Sequence, residues 1–278
     1  MIPDMSKVAI QGVLGSFHDE AAERLVPGVS RLECVTFKEV FDAVIEGEVE
    51  YGVVAIENSI HGSISHVYRL LDRTDLWVAG ETSLDIEQYL IGPKQIEVSA
   101  LNSVDAEVRT MFPAFAQCEL WLEEHVPFAK RVELYDTAFS VQSVVDEGVD
   151  RYVAIAGKHA AKVYGGEILA GPINDHKYNQ TRFILLTKEK QSVSDADRTM
   201  IIMTSAHKKG SLYELLGVFD RENINLSKLA SHPIPGDERH YAFYIDLDAG
   251  LETVAVQNAL KEVRELGSTV KVLGSYKV

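Results

Sequence analysis

The chain has 278 residues, 46% hydrophobic and 25% charged, so it can bury a sizeable core in one large domain or two smaller ones. A formal charge of −15 argues against a general nucleic-acid binder, which would carry a basic face. The two cysteines, Cys34 and Cys118, are far apart; this argues against a disulfide scaffold or a zinc site and fits a reducing cytoplasm.

Residues 1–7 lead straight into a strand-like run with no visible signal peptide. No apolar run approaches the roughly 20 residues that a membrane helix needs. Residues 8–11 read as a strand, followed by the glycine turn Gly12-Val13-Leu14-Gly15-Ser16-Phe17. A helix is expected from about His18, with acidic residues in its first turn to suit the helix dipole. Phe37, Val40, Phe41 and Val44 fall at i, i+3, i+4 and i+7, one face of a helix. Residues 51–56 form a continuous apolar run, the mark of a buried strand, which ends in Glu57-Asn58-Ser59. Ile64, Val67, Tyr68 and Leu71 make another helical stripe. Strands are expected at 76–80, 86–91, 132–135, 152–156 and 183–186, and helices at 114–124 and 137–147. This alternation implies a mostly parallel sheet, or two, flanked by helices.

Residues 188–198 lack aromatics and read as a linker. Beyond it, strand patterns at 200–205, 225–231, 240–247 and 270–275 alternate with helical stripes at Leu212, Leu215, Leu216, Phe219 and at Val256, Ala259, Leu260, Val263. A turn is expected at 234–237. The order is the ferredoxin-like βαββαβ pattern.

Three stretches set polar groups at strand ends, where parallel α/β sheets bind ligands. They are the turn at 12–17, Glu57-Asn58-Ser59 with Gly62-Ser63, and Asn179-Gln180-Thr181-Arg182-Phe183. Taken singly, each has a plain reading: a loop glycine, a helix cap, a surface cation. Together they resemble the prephenate dehydratase family. Gly12 to Phe17 and then Glu20-Ala21-Ala22 match its opening loop, and Gly52 to Ser59 with Gly62-Ser63 match its "GVVPIENS…GS" stretch. Asp136-Thr137-Ala138 matches its Ser-Thr-Ala segment, and Thr181-Arg182-Phe183 its Thr-Arg-Phe signature. The C-terminal part resembles an ACT regulatory domain through Gly210-Ser211-Leu212-Tyr213 and Ile224-Asn225-Leu226-Ser227-Lys228. The family's Glu-Ser-Arg-Pro is here Ala230-Ser231-His232-Pro233.

The resemblance implies an α/β fold: a two-lobed, periplasmic-binding-protein-like body plus a C-terminal ferredoxin-like ACT domain. The catalytic domain would span 1–187, with lobes at 1–80 joined by 175–187 and at 81–174; the linker would be 188–198 and the ACT domain 199–278. It implies a cytoplasmic lyase that converts prephenate to phenylpyruvate, with no cofactor and no metal. L-phenylalanine is implied as effector at Gly210, Ser211, Leu212, Ala230, Ser231, His232 and Pro233. Neither nucleic acid nor membrane is implied as a partner, and the ACT domains are expected to build a homodimer or homotetramer. The implied catalytic set is Ser16, Asn58, Ser59, Thr137, Thr181, Arg182 and Phe183. Thr181 is expected to donate a hydrogen bond to the leaving hydroxyl. Arg182 is expected to fork a substrate carboxylate, so that its loss chiefly raises KM. The helix after Ser16 would add backbone donors. His18 and His61 are expected to be ordinary loop histidines, and Glu57 a structural carboxylate. Arogenate dehydratase and a non-catalytic amino-acid sensor are the alternatives.

Overall fold

Capping and burial set the elements. The computed structural model describes residues 4–205, 208–234 and 237–278; residues 1–3 and Pro235-Gly236 of the expected turn lie outside them. The first lobe contains β1 (Asp4–Gln11), α1 (Phe17–Leu25), β2 (Ser30–Cys34), α2 (Phe37–Glu46), β3 (Val49–Asn58), β4 (Gly62–Ser63), α3 (Ser65–Arg73) and β5 (Trp77–Asp85). Helix α2 shows how local chemistry decides. The Thr36 hydroxyl accepts from Glu39 N–H, the Glu39 carboxylate accepts from Val35 N–H, and Gly47 closes the helix in a left-handed conformation. Its buried face is Val40, Phe41, Ala43 and Val44; of the anticipated stripe Phe37 is only partly buried, and Ala43 joins the other three.

The second lobe holds β6 (Tyr89–Gly92), β7 (Glu107–Thr110), α4 (Phe112–Gln117), α5 (Glu119–His125), β8 (Lys130–Glu133), α6 (Thr137–Glu147), β9 (Tyr152–Ala156), α7 (Lys158–Tyr164) and β10 (Glu167–Ala170). The chain then returns to the first lobe as β11 (Gln180–Thr187). The helix expected at 114–124 is two helices that meet at Cys118.

The described residues form two sheets, and both are mixed rather than mostly parallel. In the first lobe the order is β5-β11-β3-β1-β2, with β11 antiparallel to both β3 and β5. In the second it is β10-β6-β9-β7-β8, with β6 and β10 antiparallel to their neighbours. The antiparallel strands are those that flank the two crossings between lobes, where the chain runs out and comes back. The outward crossing falls at 86–88, later than the expected 80, because β5 stays paired with β11 as far as Asp85.

The small C-terminal unit is β12 (Arg198–Thr204), α8 (Ser211–Arg221), β13 (Leu226–Ile234), β14 (Asp237–Leu247), α9 (Val254–Glu265) and β15 (Val270–Tyr276), with strand order β13-β14-β12-β15. Helices α8 and α9 cover one face of this sheet. The other face packs onto the first lobe, where Met200, Ile202, Tyr244, Leu273 and Tyr276 share a core with Val54, Ile56, Tyr68, Ile184 and Leu186. Each such burial stabilises by about 1.5–3 kcal/mol. Strand β15 also meets β5 at Gly274, opposite Val78. A Cβ on Gly274 would stand 2.1 Å from the Val78 carbonyl oxygen, so only glycine permits the approach. No helix among the described residues is long and apolar enough to cross a membrane.

Candidate active site

The glycine turn after β1 is where the lobes touch. Gly12 and Gly15 have φ of +95° and +80°, the region that favours glycine. A Cβ on Gly12 would lie 2.8 Å from Asp136 Oδ2 of the second lobe, and one on Gly15 would lie 3.1 Å from Ala160 Cα. Tyr164 donates its hydroxyl to the Leu14 carbonyl at 2.8 Å, and His159 Nε2 is 2.9 Å from Asp19 Oδ2. Burial pushes the Asp19 pKa up, but hydrogen bonds from His159, Gly15 N–H and Arg31 outweigh it and bring it to about 2. Ser16 caps α1, its hydroxyl accepting from Asp19 N–H at 3.3 Å. Thr137 begins α6 just across this contact. Its neighbour Asp136 caps that helix by accepting from Ala138 and Phe139 N–H, and burial raises the Asp136 pKa.

Asn58, Ser59 and Thr181 are brought together at the joined ends of β3 and β11. Asn58 Nδ2 donates to Thr181 Oγ1 at 2.9 Å and to Asn179 Oδ1 at 2.7 Å. Asn58 Oδ1 accepts from the Ile60 and His61 N–H groups, both at 3.0 Å, which fixes the amide's orientation. Ser59 is stapled to β11: its N–H donates to the Gln180 carbonyl, and its hydroxyl accepts from Gln180 N–H. The consequence for Thr181 is chemical. Its oxygen already accepts from Asn58, so its own O–H is left to donate elsewhere. Thr181 and Asn179 are buried, and Asn179 lines a cavity of about 670 Å³ beside the return crossing, together with Ser59, His176, Lys177 and Gln180. Asn179 stands in one of the three stretches singled out from the sequence, though not in the implied catalytic set. Its signal was spacing: it lies two residues before Thr181, where the chain extends into β11 and alternate residues share a face.

Arg182 and Phe183 are not at the cleft, which corrects the expectation for both. Adjacent residues of a strand face opposite ways, so Arg182 points away from Thr181 and toward the small domain. Its Nη1 is 2.5 Å from Asp246 Oδ2, and its Nε is 2.9 Å from Glu81 Oε2, an ion pair off the straight hydrogen-bond line. Burial alone would lower the Arg182 pKa, but Asp246 and Glu81 outweigh it and raise it. A guanidinium so engaged cannot also fork a substrate carboxylate. Phe183 is 1% exposed, in the core with Val8, Ile10, Val53 and Leu185. His18 packs edge-on against it at 5.1 Å and accepts from Ala55 N–H. Burial lowers the His18 pKa to about 3, so this histidine is neutral and structural. Glu57 turns to the small domain as well, 2.6 Å from Lys228 Nζ.

In the small unit, Gly210 has φ +87° and precedes α8, with Ser211 and Leu212 in its first turn. Ala230, Ser231, His232 and Pro233 lie on β13. His232 and Thr204, the last residue of β12, both pair with Ala242, so the two segments lie at one end of the sheet. The His232 ring stacks on Tyr68 of α3.

A two-lobed α/β body with a hydroxyl donor oriented by an amide, beside a cavity at the crossing between lobes, is the framework of an enzyme that acts on a small polar molecule. A family model for prephenate dehydratase matches residues 8–191. The chain is 33% identical over 283 residues to arogenate dehydratase/prephenate dehydratase 2 of Arabidopsis thaliana, covering 98% of this chain and 73% of that one. The structure of prephenate dehydratase in complex with L-Phe from Arthrobacter aurescens superposes with a TM-score of 0.84 at 28% identity, over 98% and 90% of the two chains. GqqA, described as a novel type of quorum quenching acylase, superposes with a TM-score of 0.85 at 27% identity, over 98% of both chains. The chain belongs to the prephenate dehydratase family and is a carbon–oxygen lyase.

Proposed function

We propose that the chain converts prephenate to phenylpyruvate, with Thr181 as the hydroxyl donor on the leaving group and L-phenylalanine as effector. The observation that carries this is the Asn58–Thr181 hydrogen bond, which directs the threonine O–H away from its protein partner. As the ring carboxylate leaves as carbon dioxide, its bonding electrons move into the ring and expel the ring hydroxyl, which departs as water after gaining a proton. A threonine hydroxyl is too weak an acid to be a free proton source. It acts by holding the departing oxygen while a proton arrives from solvent, and aromatisation supplies the driving force. With Arg182 committed elsewhere, Lys177 of the adjoining cavity is the cation we assign to the substrate carboxylates, with the His176 ring as a further hydrogen-bonding group. Thr137 and Ser16 contribute hydroxyls from the two sides of the lobe contact.

The relative from Arabidopsis carries both activities in its name, so arogenate is the second substrate to compare. Acyl transfer is disfavoured by the site. Among the described residues, the Thr181, Ser59 and Ser16 hydroxyls bond to an amide side chain or to backbone N–H groups, and none to a histidine or carboxylate that would activate a nucleophile. The small unit serves as the ACT domain. Its effector site is Gly210–Leu212 with Ala230–Pro233, and β13, at the edge of its sheet, supports pairing with a second copy. Incubation with prephenate and with arogenate, with and without phenylalanine, tests the reading. Phenylpyruvate from prephenate, formed faster than phenylalanine from arogenate and at a rate that responds to added phenylalanine, is expected. Absence of phenylpyruvate would overturn it.

A further inference from the structure

Lys228 and Asp246 belong to the small domain, yet both reach the catalytic strands. Lys228 Nζ is 2.6 Å from Glu57 Oε2 and 5.1 Å from the centre of the Tyr68 ring. Asp246 Oδ2 is 2.5 Å from Arg182 Nη1. Arg198 closes the cluster through Glu81 at 2.8 Å, and the Tyr276 hydroxyl donates to the same carboxylate. Three cations, Arg182, Arg198 and Lys228, thus face Glu57, Glu81 and Asp246, with Asp248 a further partner of Arg198 at 3.3 Å. The Lys228 and Asp246 side chains are 7% and 2% exposed, so water screens these charges weakly and each holds its partner firmly.

The chain positions of the partners give the cluster its meaning. Glu57 and Arg182 lie opposite each other on β3 and β11, and so do the next pair, Asn58 and Thr181. One pair faces the small domain and the other forms the donor site. A hydroxyl that must meet a leaving oxygen tolerates misplacement of only about 0.5 Å, so whatever holds Glu57 and Arg182 also sets Asn58 and Thr181. Lys228 is also two residues before Ala230 on the same strand, so the effector segment and this cluster share one backbone.

We infer that Lys228 and Asp246 are positioning residues of the dehydratase site: through Glu57 and Arg182 they hold Asn58 and Thr181, and the cleft is incomplete without the small domain. This rests on the dehydratase reading above. The test measures kcat, KM and thermal unfolding on prephenate for the parent chain, Lys228→Met, Lys228→Arg, Asp246→Asn, the double variant Glu57→Gln/Lys228→Met, and Lys271→Met. Lys271 ties the same two domains elsewhere, donating to the Leu71, Asp72 and Thr74 carbonyls.

Lys228→Met is expected to lower kcat by roughly ten-fold with KM little changed, and Lys228→Arg to recover most of it. The double variant is expected to be no worse than Lys228→Met alone. Lys271→Met is expected to lower the unfolding temperature and leave kcat unaltered. Should Asp246→Asn fail to fold, Lys228→Met still decides, because Glu57 keeps Arg182 within 3.9 Å. Parent-like kcat in Lys228→Met overturns the inference alone, as does an equal loss of kcat in Lys271→Met. A parent chain inactive on prephenate overturns the dehydratase reading and the inference with it.

Discussion

The joined ends of β3 and β11 are covered on two sides by different chemistry. On the cleft side stands the neutral pair Asn58 and Thr181, and the contact between lobes is a few polar bonds and a small apolar contact from Val13 and Phe17 over closely approaching glycines. On the other side stand buried ion pairs, set in an apolar core shared with the small domain. Opening the first contact loses a few hydrogen bonds of about 0.5–1.5 kcal/mol each. Parting the second exposes a core and strands charges, a much larger cost. Asn58 and Thr181 therefore sit between a side that can be opened and a side that is held.

Neighbouring substitutions should separate the two sides. Thr181→Ala removes the donor and leaves the ion pairs intact. Its kcat should fall by roughly 10²–10⁴ with little change in unfolding temperature. A near-parental kcat would remove Thr181 from the mechanism. Arg182→Met deletes a cation between Glu81 and Asp246, so urea unfolding should show a loss of about 3–5 kcal/mol. Its KM should stay near the parental value. A raised KM with unaltered stability would instead return Arg182 to the substrate and undo the comparison.

The sequence shows one of these sides better than the other. Apolar periodicity located α2, α3, β3 and the helices of the small unit, because their buried faces are contiguous. Strands β2 and β7 were missed, since Ser30–Cys34 and Glu107–Thr110 alternate charged and apolar residues in short runs. The motifs singled out Asn58, Ser59 and Thr181, which the structure brings to one point. They could not show which way Arg182 faces, because its partners Glu81 and Asp246 lie far off in sequence and meet it only when the small domain folds back. Strand alternation was the usable clue, for Thr181 and Arg182 cannot both line one cleft. Asp19 and His159 were invisible for the same reason: they are 140 residues apart and pair only across the closed lobes.

Gly12→Ala probes the cleft side more gently. The left-handed backbone strain is about 1–2 kcal/mol, and the new methyl must also displace Asp136. The lobes should then close less readily, and kcat/KM should fall roughly ten-fold. Gly28→Ala is the control, since its φ is +75° but nothing lies within 4 Å of its Cβ position. It should lose a similar amount of stability with kcat/KM unchanged. Equal effects of the two variants on kcat/KM would mean that strain, not lobe closure, governs.

The smallest effect is titration of the lobe contact itself. Asp19 has a pKa of about 2 in the folded chain, against an ordinary aspartate value near 3.8, so it binds its proton less readily folded than unfolded. Its contribution to stability is therefore complete above about pH 5 and disappears as the pH falls through 4 toward 2. By pH 3 the loss should be about 1 kcal/mol. Other carboxylates titrate in the same window, so the informative quantity is the difference between the parent and Asp19→Asn in urea unfolding at pH 7 and pH 3. The asparagine cannot ionise and still fills the space between Arg31, His159 and Gly15 N–H. The gap between the two proteins should narrow by about that amount on acidification. A gap that stays constant would mean that Asp19 gains nothing from its partners in the folded chain, and that the glycine turn, its Val13 and Phe17 contacts and the Tyr164 hydroxyl keep the lobes together without it.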